Sequence, residues 1–178
     1  MVRFPSLFRR LTALAFRLLR PRSRLRRALL RRAVLSGWAS FDRRDFELNF
    51  LFFAPDVEFE FPSGMQTLGL SGSYRGHEGR REALNKLIEV WGSELELAYI
   101  LDLGKQVLNL GYWRTQARAS GARLEQELAQ LVTVRDGLVT RDQNFFSWEE
   151  GLRAAGLEPG AVTFPGRGRM SQATTSAE

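Results

Sequence analysis

The chain has 178 residues, enough for one domain with a sizeable core, and its apolar content of 44% is ordinary for a globular protein. It contains no Cys and a single His, His77, which excludes disulfides, thiolate chemistry and a His-rich metal site and leaves any Ser-His-Asp arrangement dependent on that one ring. The net charge of +6 is unevenly placed: residues 1–32 hold eleven Arg and no acid, so 15 basic and 20 acidic residues remain in 33–178, a net of −5. A mildly acidic body lacks the basic face of a nucleic-acid binder, and no nucleic-acid partner is expected.

Residues 1–20 place Phe4, Leu7, Phe8, Leu11, Leu14, Ala15 and Leu18 at helical spacing, with Arg9, Arg10, Arg17 and Arg20 largely elsewhere on the wheel. Arg interrupts the apolar run well short of a ~20-residue span, so this is no transmembrane segment, and no small-residue cleavage site follows cleanly. Two readings stand for residues 1–21: a disordered or loosely helical extension, or an amphipathic arm that contacts an anionic membrane or a partner through residues 1–20.

Pro21 breaks the pattern. A second helix is predicted from Arg24 to Ser40, with a stripe of Leu25, Leu29, Leu30, Ala33, Val34, Gly37, Trp38 and Phe41. Asp42 is read as the N-cap of a third helix, Arg43 to Phe53, ended by Ala54-Pro55-Asp56. Val57-Glu58-Phe59-Glu60-Phe61 alternates strictly and makes a strand with one apolar face, stopped by Pro62-Ser63-Gly64. Met65 to Tyr74 reads as a loop with a short edge strand. Gly76-His77-Glu78-Gly79 opens a helix ending near Trp91, with His77 as a surface or capping residue in its first turn.

Leu95–Leu103 and Gln106–Arg118 are long strands joined at Gly104-Lys105, and Ser120-Gly121 turns into the next run. Leu124–Val134 and Leu138–Trp148 flank Asp136-Gly137, a strong hairpin signal because a type I′ turn needs φ > 0 at both central residues. A short helix, Trp148–Ala155, closes on Gly156, and disorder is expected from Glu158 to Glu178. Successive hairpins build an antiparallel sheet, and the helices must cover one face of it. The fold class is α+β.

Trp38-Ala39-Ser40-Phe41-Asp42-Arg43-Arg44-Asp45-Phe46, Phe53-Ala54-Pro55-Asp56-Val57, Tyr74-Arg75-Gly76-His77-Glu78-Gly79, Leu101-Asp102-Leu103-Gly104, Ser120-Gly121, Val134-Arg135-Asp136-Gly137 and Trp148-Glu149-Glu150-Gly151-Leu152-Arg153-Ala154-Ala155-Gly156-Leu157 follow one another in an order that resembles SnoaL-like members of the nuclear transport factor 2 superfamily. The resemblance spans about Leu25 to Leu157 and defines a domain over 22–157. It implies a cone-shaped, curved antiparallel sheet wrapped around N-terminal helices, an apolar pocket, and frequent homodimerisation. Members range from ketosteroid isomerases, polyketide cyclases, dehydratases and epoxide hydrolases to binding domains without catalysis, so the fold alone does not assign an activity.

The isomerases this resembles carry a carboxylate base just before the Pro that ends the first strand, a Tyr in the first helix, and a protonated acid in the penultimate strand. The matching positions here are Phe61, Gly37 and Gln130. The base and Tyr donor are absent, Gln130 can donate a hydrogen bond but cannot accept a proton at neutral pH, and no catalytic residue is assigned. A one-residue slip would turn Glu60 inward, but it would bury Glu58 as well.

The expected pocket wall is Trp38, Phe59, Phe61, Tyr99, Tyr112, Gln126 and Gln130, with Leu128, Val132 and Val134 sharing the hairpin face. Those aromatics are equally consistent with a filled core. Arg114 and Arg141 either pair with Glu125, Glu127 or Asp102 or anchor a ligand acid; Asp102 and Asp142 are the strand Asp residues able to act as a base, Asp102 more as a structural residue near a turn. No Gly-rich phosphate loop, metal-ligand spacing or nucleophile elbow is present, so no cofactor and no metal are expected. Three functions fit: binding of a small apolar molecule or dimerisation without catalysis; an isomerase, cyclase or dehydratase with a relocated acid such as Asp102 or Glu60; or a scaffold docked through the Arg-rich arm. The expected location is cytoplasmic, peripheral to the membrane where the arm engages lipid. Abundant Arg with little Lys suggests a GC-rich bacterial genome.

Overall fold

The computed structural model describes residues 5–21, 23–62, 65, 72–91, 94–116 and 123–161. The elements run α1 (Pro5–Leu18), α2 (Arg24–Asp42), α3 (Phe46–Phe50), β1 (Phe53–Glu60), β2 (Ser73–Arg75), α4 (Gly76–Trp91), β3 (Glu94–Asp102), β4 (Gln106–Gln116), β5 (Arg123–Arg135), β6 (Leu138–Phe145) and α5 (Trp148–Ala154). A 3-10 turn at Pro159–Ala161 follows, where a tail was expected. The Ser120-Gly121 turn and 162–178 lie outside the described residues.

One curved, unclosed six-stranded sheet has the order β2-β1-β6-β5-β4-β3. The long hairpins form as their turns predict: Asp136 and Gly137 both have positive φ, 53° and 80°, and Gly104 at 88° turns β3 into β4. All adjacent pairs are antiparallel except β1–β6, which is parallel in the register Glu58↔Arg141 and Phe59↔Asp142. Hairpin logic missed this pair because β1 is separated from β6 by five other elements and lies beside the last strand as well as beside β2, the next one.

Two helix boundaries differ from expectation. The second helix runs on through Asp42, and the third is capped by Asp45, whose Oδ1 accepts from Leu48 N at 3.2 Å. Between them Arg44, at φ 58°, reverses the chain. Phe53 opens β1 rather than closing the helix, since Phe52 O accepts from Val139 N at 2.8 Å and ties the chain to β6.

The inner face of the sheet packs on α2, α3 and α4 through Trp38, Phe41, Phe46, Phe50, Phe59, Leu84, Leu87, Ile88, Trp113 and Leu128. Its outer face is covered by α5, where Trp148 and Leu152 bury Leu108, Leu110, Ala129 and Leu131. Ser147 caps α5 by accepting from Glu149 N and Glu150 N. Gly111 allows the sheet to be covered on both sides: a Cβ there would collide with Glu96 O and the Trp38 ring, while Gly111 O accepts from Trp148 Nε1 at 2.8 Å.

Arg26 fastens the N-terminal helices to the sheet. Its guanidinium donates to both oxygens of Asp102, at 2.7 and 2.8 Å, to Gly104 O at 2.6 Å, and to Leu19 O and Phe16 O at 3.1 and 3.2 Å, with the Phe16 ring 4.3 Å away. The side chains of both partners of the ion pair are buried. Asp102→Ala leaves the guanidinium with carbonyls alone, and a loss of about 3–5 kcal/mol is expected in urea denaturation.

Asp42 is partly exposed at the C-terminal end of α2, where the helix dipole disfavours negative charge. Partial burial raises its pKa from 3.8 to about 6, with Glu94 adding to the rise and a backbone hydrogen bond at Leu95 and the charge of Arg43 opposing it. The folded state thus favours the protonated acid, so this residue's penalty is absent below about pH 4 and grows as pH rises through about 6. Asp42→Asn should therefore raise stability at about pH 7 and leave it unchanged near pH 4, measured as urea midpoints at the two pH values.

Candidate functional site

Between the helices and the inner face of the sheet lies a cavity of about 130 Å³, many times the ~10–15 Å³ that one water needs. Its wall is mostly apolar. Phe16, Leu30 and Val34 meet Val107, Val132, Val134 and Val139 at one end; Phe59, Phe61, Leu84, Leu87, Leu95, Trp113 and Leu128 surround the other. Trp38, Phe59, Phe61 and Gln130 of the expected wall are in it, as is Gly37, so the three positions matched to isomerase groups face one space.

The other three expected residues are elsewhere. Tyr99 and Tyr112 lie on the outer face, their rings 5.7 and 5.1 Å from that of Trp148. A register shift between Leu97 and Tyr99 explains the first: Leu95 and Leu97 pack inward, the bulge takes up one residue, and Tyr99 emerges on the opposite side. On β4, Asn109 and Trp113 point into the cavity and Tyr112 alternates away. Gln126 shares the face of Leu128 and Gln130 but is not part of the wall; its Nε2 donates to Phe146 O at 2.7 Å.

What periodicity could not show is a polar cluster set into the apolar wall. Arg80, Asn49, Asn109, Gln130 and Asn144 all line the cavity, and the carboxylate of Asp142, 0% exposed, joins them. Arg80 Nη1 donates to Asp142 Oδ2 at 2.5 Å, Gln130 Nε2 to its two oxygens at 3.0 and 3.2 Å, and Asn144 Nδ2 to Oδ1 at 3.2 Å. Gln130 Oε1 accepts from Trp38 Nε1 at 3.2 Å and from Asn109 Nδ2 at 3.1 Å. Asn49 Oδ1 accepts from Arg80 Nη2 at 3.4 Å, and Asn49 Nδ2 donates to Gly37 O at 3.0 Å. The guanidinium of Arg80 stacks 3.8 Å from the Phe53 ring centroid. Burial lowers its pKa from the usual arginine value, and the charge and hydrogen bond of Asp142 oppose that fall.

The donor of Gln130, free in the sequence reading, is committed to Asp142. Asn109 Oδ1 and Arg80 Nε are buried without a hydrogen-bond partner. Among the described residues, no Asp or Glu belongs to the wall. The two acids considered for relocation are both outside it: Asp102 is bound by Arg26, and Glu60 pairs with Arg141 at 2.6 Å on the outer side of β1. Arg114 pairs with Glu96 and Glu125. His77 is not in the wall; its ring stacks 5.0 Å from that of Phe50, and Nε2 lies 3.2 Å from Phe53 O, to which its N–H tautomer donates. No group of acids or His able to hold a metal occurs among the described residues.

Asp142→Ala strands a charged guanidinium in the core and should cost about 3–5 kcal/mol. Gln130→Leu should cost about 1–3 kcal/mol by leaving Trp38 and Asn109 without their acceptor. The double variant Arg80→Met/Asp142→Leu should be markedly more stable than Asp142→Ala, because no charge remains to be compensated. Urea denaturation of the variants checks all three.

Residues 34–142 match the family model of the SnoaL-like domain. No curated protein sequence matches the chain. Among solved structures, TerC co-crystallised with polyporic acid is 32% identical, with 65% of this chain and 89% of TerC covered and a TM-score of 0.58. An NTF2-like protein from Burkholderia pseudomallei is 23% identical, with 68% and 93% covered and a TM-score of 0.58. A protein of ketosteroid isomerase-like fold from Catenulispora acidiphila, in complex with trimethylamine, is 16% identical, with 74% and 96% covered and a TM-score of 0.54. The two more distant structures share the fold; with the family match across most of the body, the chain belongs to the SnoaL-like domain family and has the NTF2-like fold.

Proposed function

We propose that the chain binds a small, mainly apolar molecule that carries a hydrogen-bonding group, and does no chemistry on it. The observation behind this reading is the makeup of the cavity: an aromatic and aliphatic wall, one concentrated patch of amides and a guanidinium, and, among the described residues, no carboxylate in the wall. Such a wall rewards apolar area, and the patch orients the ligand. A general base needs an oxygen free to take a proton within reach of the substrate. Asp142 accepts from Arg80, Gln130 and Asn144 at once, so its lone pairs are spent on the fold.

A proton-transfer enzyme is the second reading. It is favoured by a buried, ionic carboxylate one residue behind the wall, and Asp142 is then the acid to test.

Polyporic acid is the first probe, because TerC was crystallised with it. Trp38 and Trp113 in the wall report on occupancy. Quenching of their fluorescence should saturate, and Phe61→Asp, which sets a carboxylate into the apolar wall, should weaken the affinity at least about tenfold. Native mass spectrometry of the gently purified full chain extends the search to whatever co-purifies. An unaltered affinity in Phe61→Asp, or an empty protein that quenches with no apolar probe, removes the binding reading. Conversion of the bound compound that is lost in a folded Asp142→Asn variant replaces it with the enzyme.

A further inference from the structure

We propose that α1, with the adjoining outer face of α2, docks the protein onto an anionic lipid surface. In α1 one side already has a partner: Ala15 is buried, Phe16 reaches the cavity wall, Ala13 lies against Gly137, and Arg26 holds the carbonyls of Phe16 and Leu19. The other side carries Leu7, Leu11, Leu14 and Leu18, which fall within one narrow stripe of the helix and are 47–71% exposed. Leu25 and Leu35 are exposed on α2. These six are all the exposed large apolar side chains among the described residues. A solvated surface scatters such residues, so their concentration marks a contact.

Charge decides what the contact fits. Residues 1–32 hold eleven Arg and no acid, and Arg10, Arg20, Arg24, Arg27 and Arg31 are exposed on α1, on α2 and on the turn between them. Two copies meeting through this face about a two-fold axis would set like charges against each other. An anionic bilayer instead neutralises the Arg side chains and receives the leucines at the headgroup–acyl boundary. At 14 residues α1 is about 21 Å long, and no described helix is long and apolar enough to cross a membrane. The arrangement is that of a helix lying in the interface plane.

The test is flotation of the full chain with vesicles of phosphatidylcholine alone and of phosphatidylcholine with about a third phosphatidylglycerol. Binding should require the anionic lipid, weaken as salt is raised, and fall at least about tenfold in Leu11→Glu/Leu14→Glu. Both leucines point away from the body, so circular dichroism and urea midpoint should match the parent. Arg10→Gln/Arg20→Gln provides a second variant, expected to weaken binding without altering the apolar stripe. Failure to float with anionic vesicles, equal flotation of both variants, or a lipid-free dimer that Leu11→Glu/Leu14→Glu dissociates would overturn the proposal, the last by assigning the stripe to a second copy.

Discussion

A charged pair sealed in the core constrains this structure more than any other contact. Arg80 and Asp142 are 3% and 0% exposed, and neither ion is tolerable there unless each is closely matched. The match requires α4 to sit at one depth over β6, and it recruits amides from every neighbouring element: Asn49 from α3, Asn109 from β4, Gln130 from β5 and Asn144 from β6. Trp38 on α2 is drawn in through Gln130. Apolar packing would allow these helices to slide on the sheet by fractions of a turn; directional bonds to a buried carboxylate do not. The same requirement sets the chemistry of the cavity, because the amides that satisfy Asp142 are the polar part of its wall.

Local signals were enough for much of the fold. Asp136-Gly137, Gly104-Lys105 and the strict alternation of Val57 to Phe61 each name a conformation with few alternatives, and each forms where expected. The side-chain direction of β1 was legible for the same reason: Glu58 and Glu60 could not both be buried, so Phe59 and Phe61 had to face in. The β3 and β4 strands offered no such contrast. Both of their faces are apolar, since α5 covers the outer one, and alternation then carries no information about which side a Tyr takes. On β3 a bulge reversed the parity between Leu97 and Tyr99, and nothing in Leu-Ala-Tyr-Ile-Leu announces it. The parallel β1–β6 pair and the Arg80–Asp142 bond join residues 62 positions or more apart. Neither has a signature in spacing, although a lone Asp amid the strand Arg141-Asp142-Gln143-Asn144 and an Arg on the inner side of α4 were the two halves of one.

The outer face matters to the inner one. Trp148 on α5 donates to Gly111 O, and Trp38 lies against the opposite side of the same glycine. A side chain at 111 would push Trp38 off the sheet and break its bond to Gln130. The C-terminal helix is thereby coupled to the cavity across one backbone residue, even though none of its own residues lines the space. This is why the motif from Trp148 to Leu157 belongs to the domain rather than to the tail.

The N-terminal helix is coupled from the other end. The guanidinium of Arg26 binds the last carbonyls of α1 and the β3–β4 turn simultaneously, so α1 cannot leave without unsatisfying a buried cation. Phe16 then stays in the wall as long as Asp102 stays paired. An arm that looks appended in the sequence, by composition and by the Pro21 break, is in the folded protein one end of the cavity. The charge asymmetry between residues 1–32 and the body gains a structural meaning from this: the Arg-rich helix that carries four exposed leucines backs directly onto the end of the cavity that Phe16, Leu30 and five valines enclose. Whatever occupies that outer surface is separated from the interior by the thickness of a single helix.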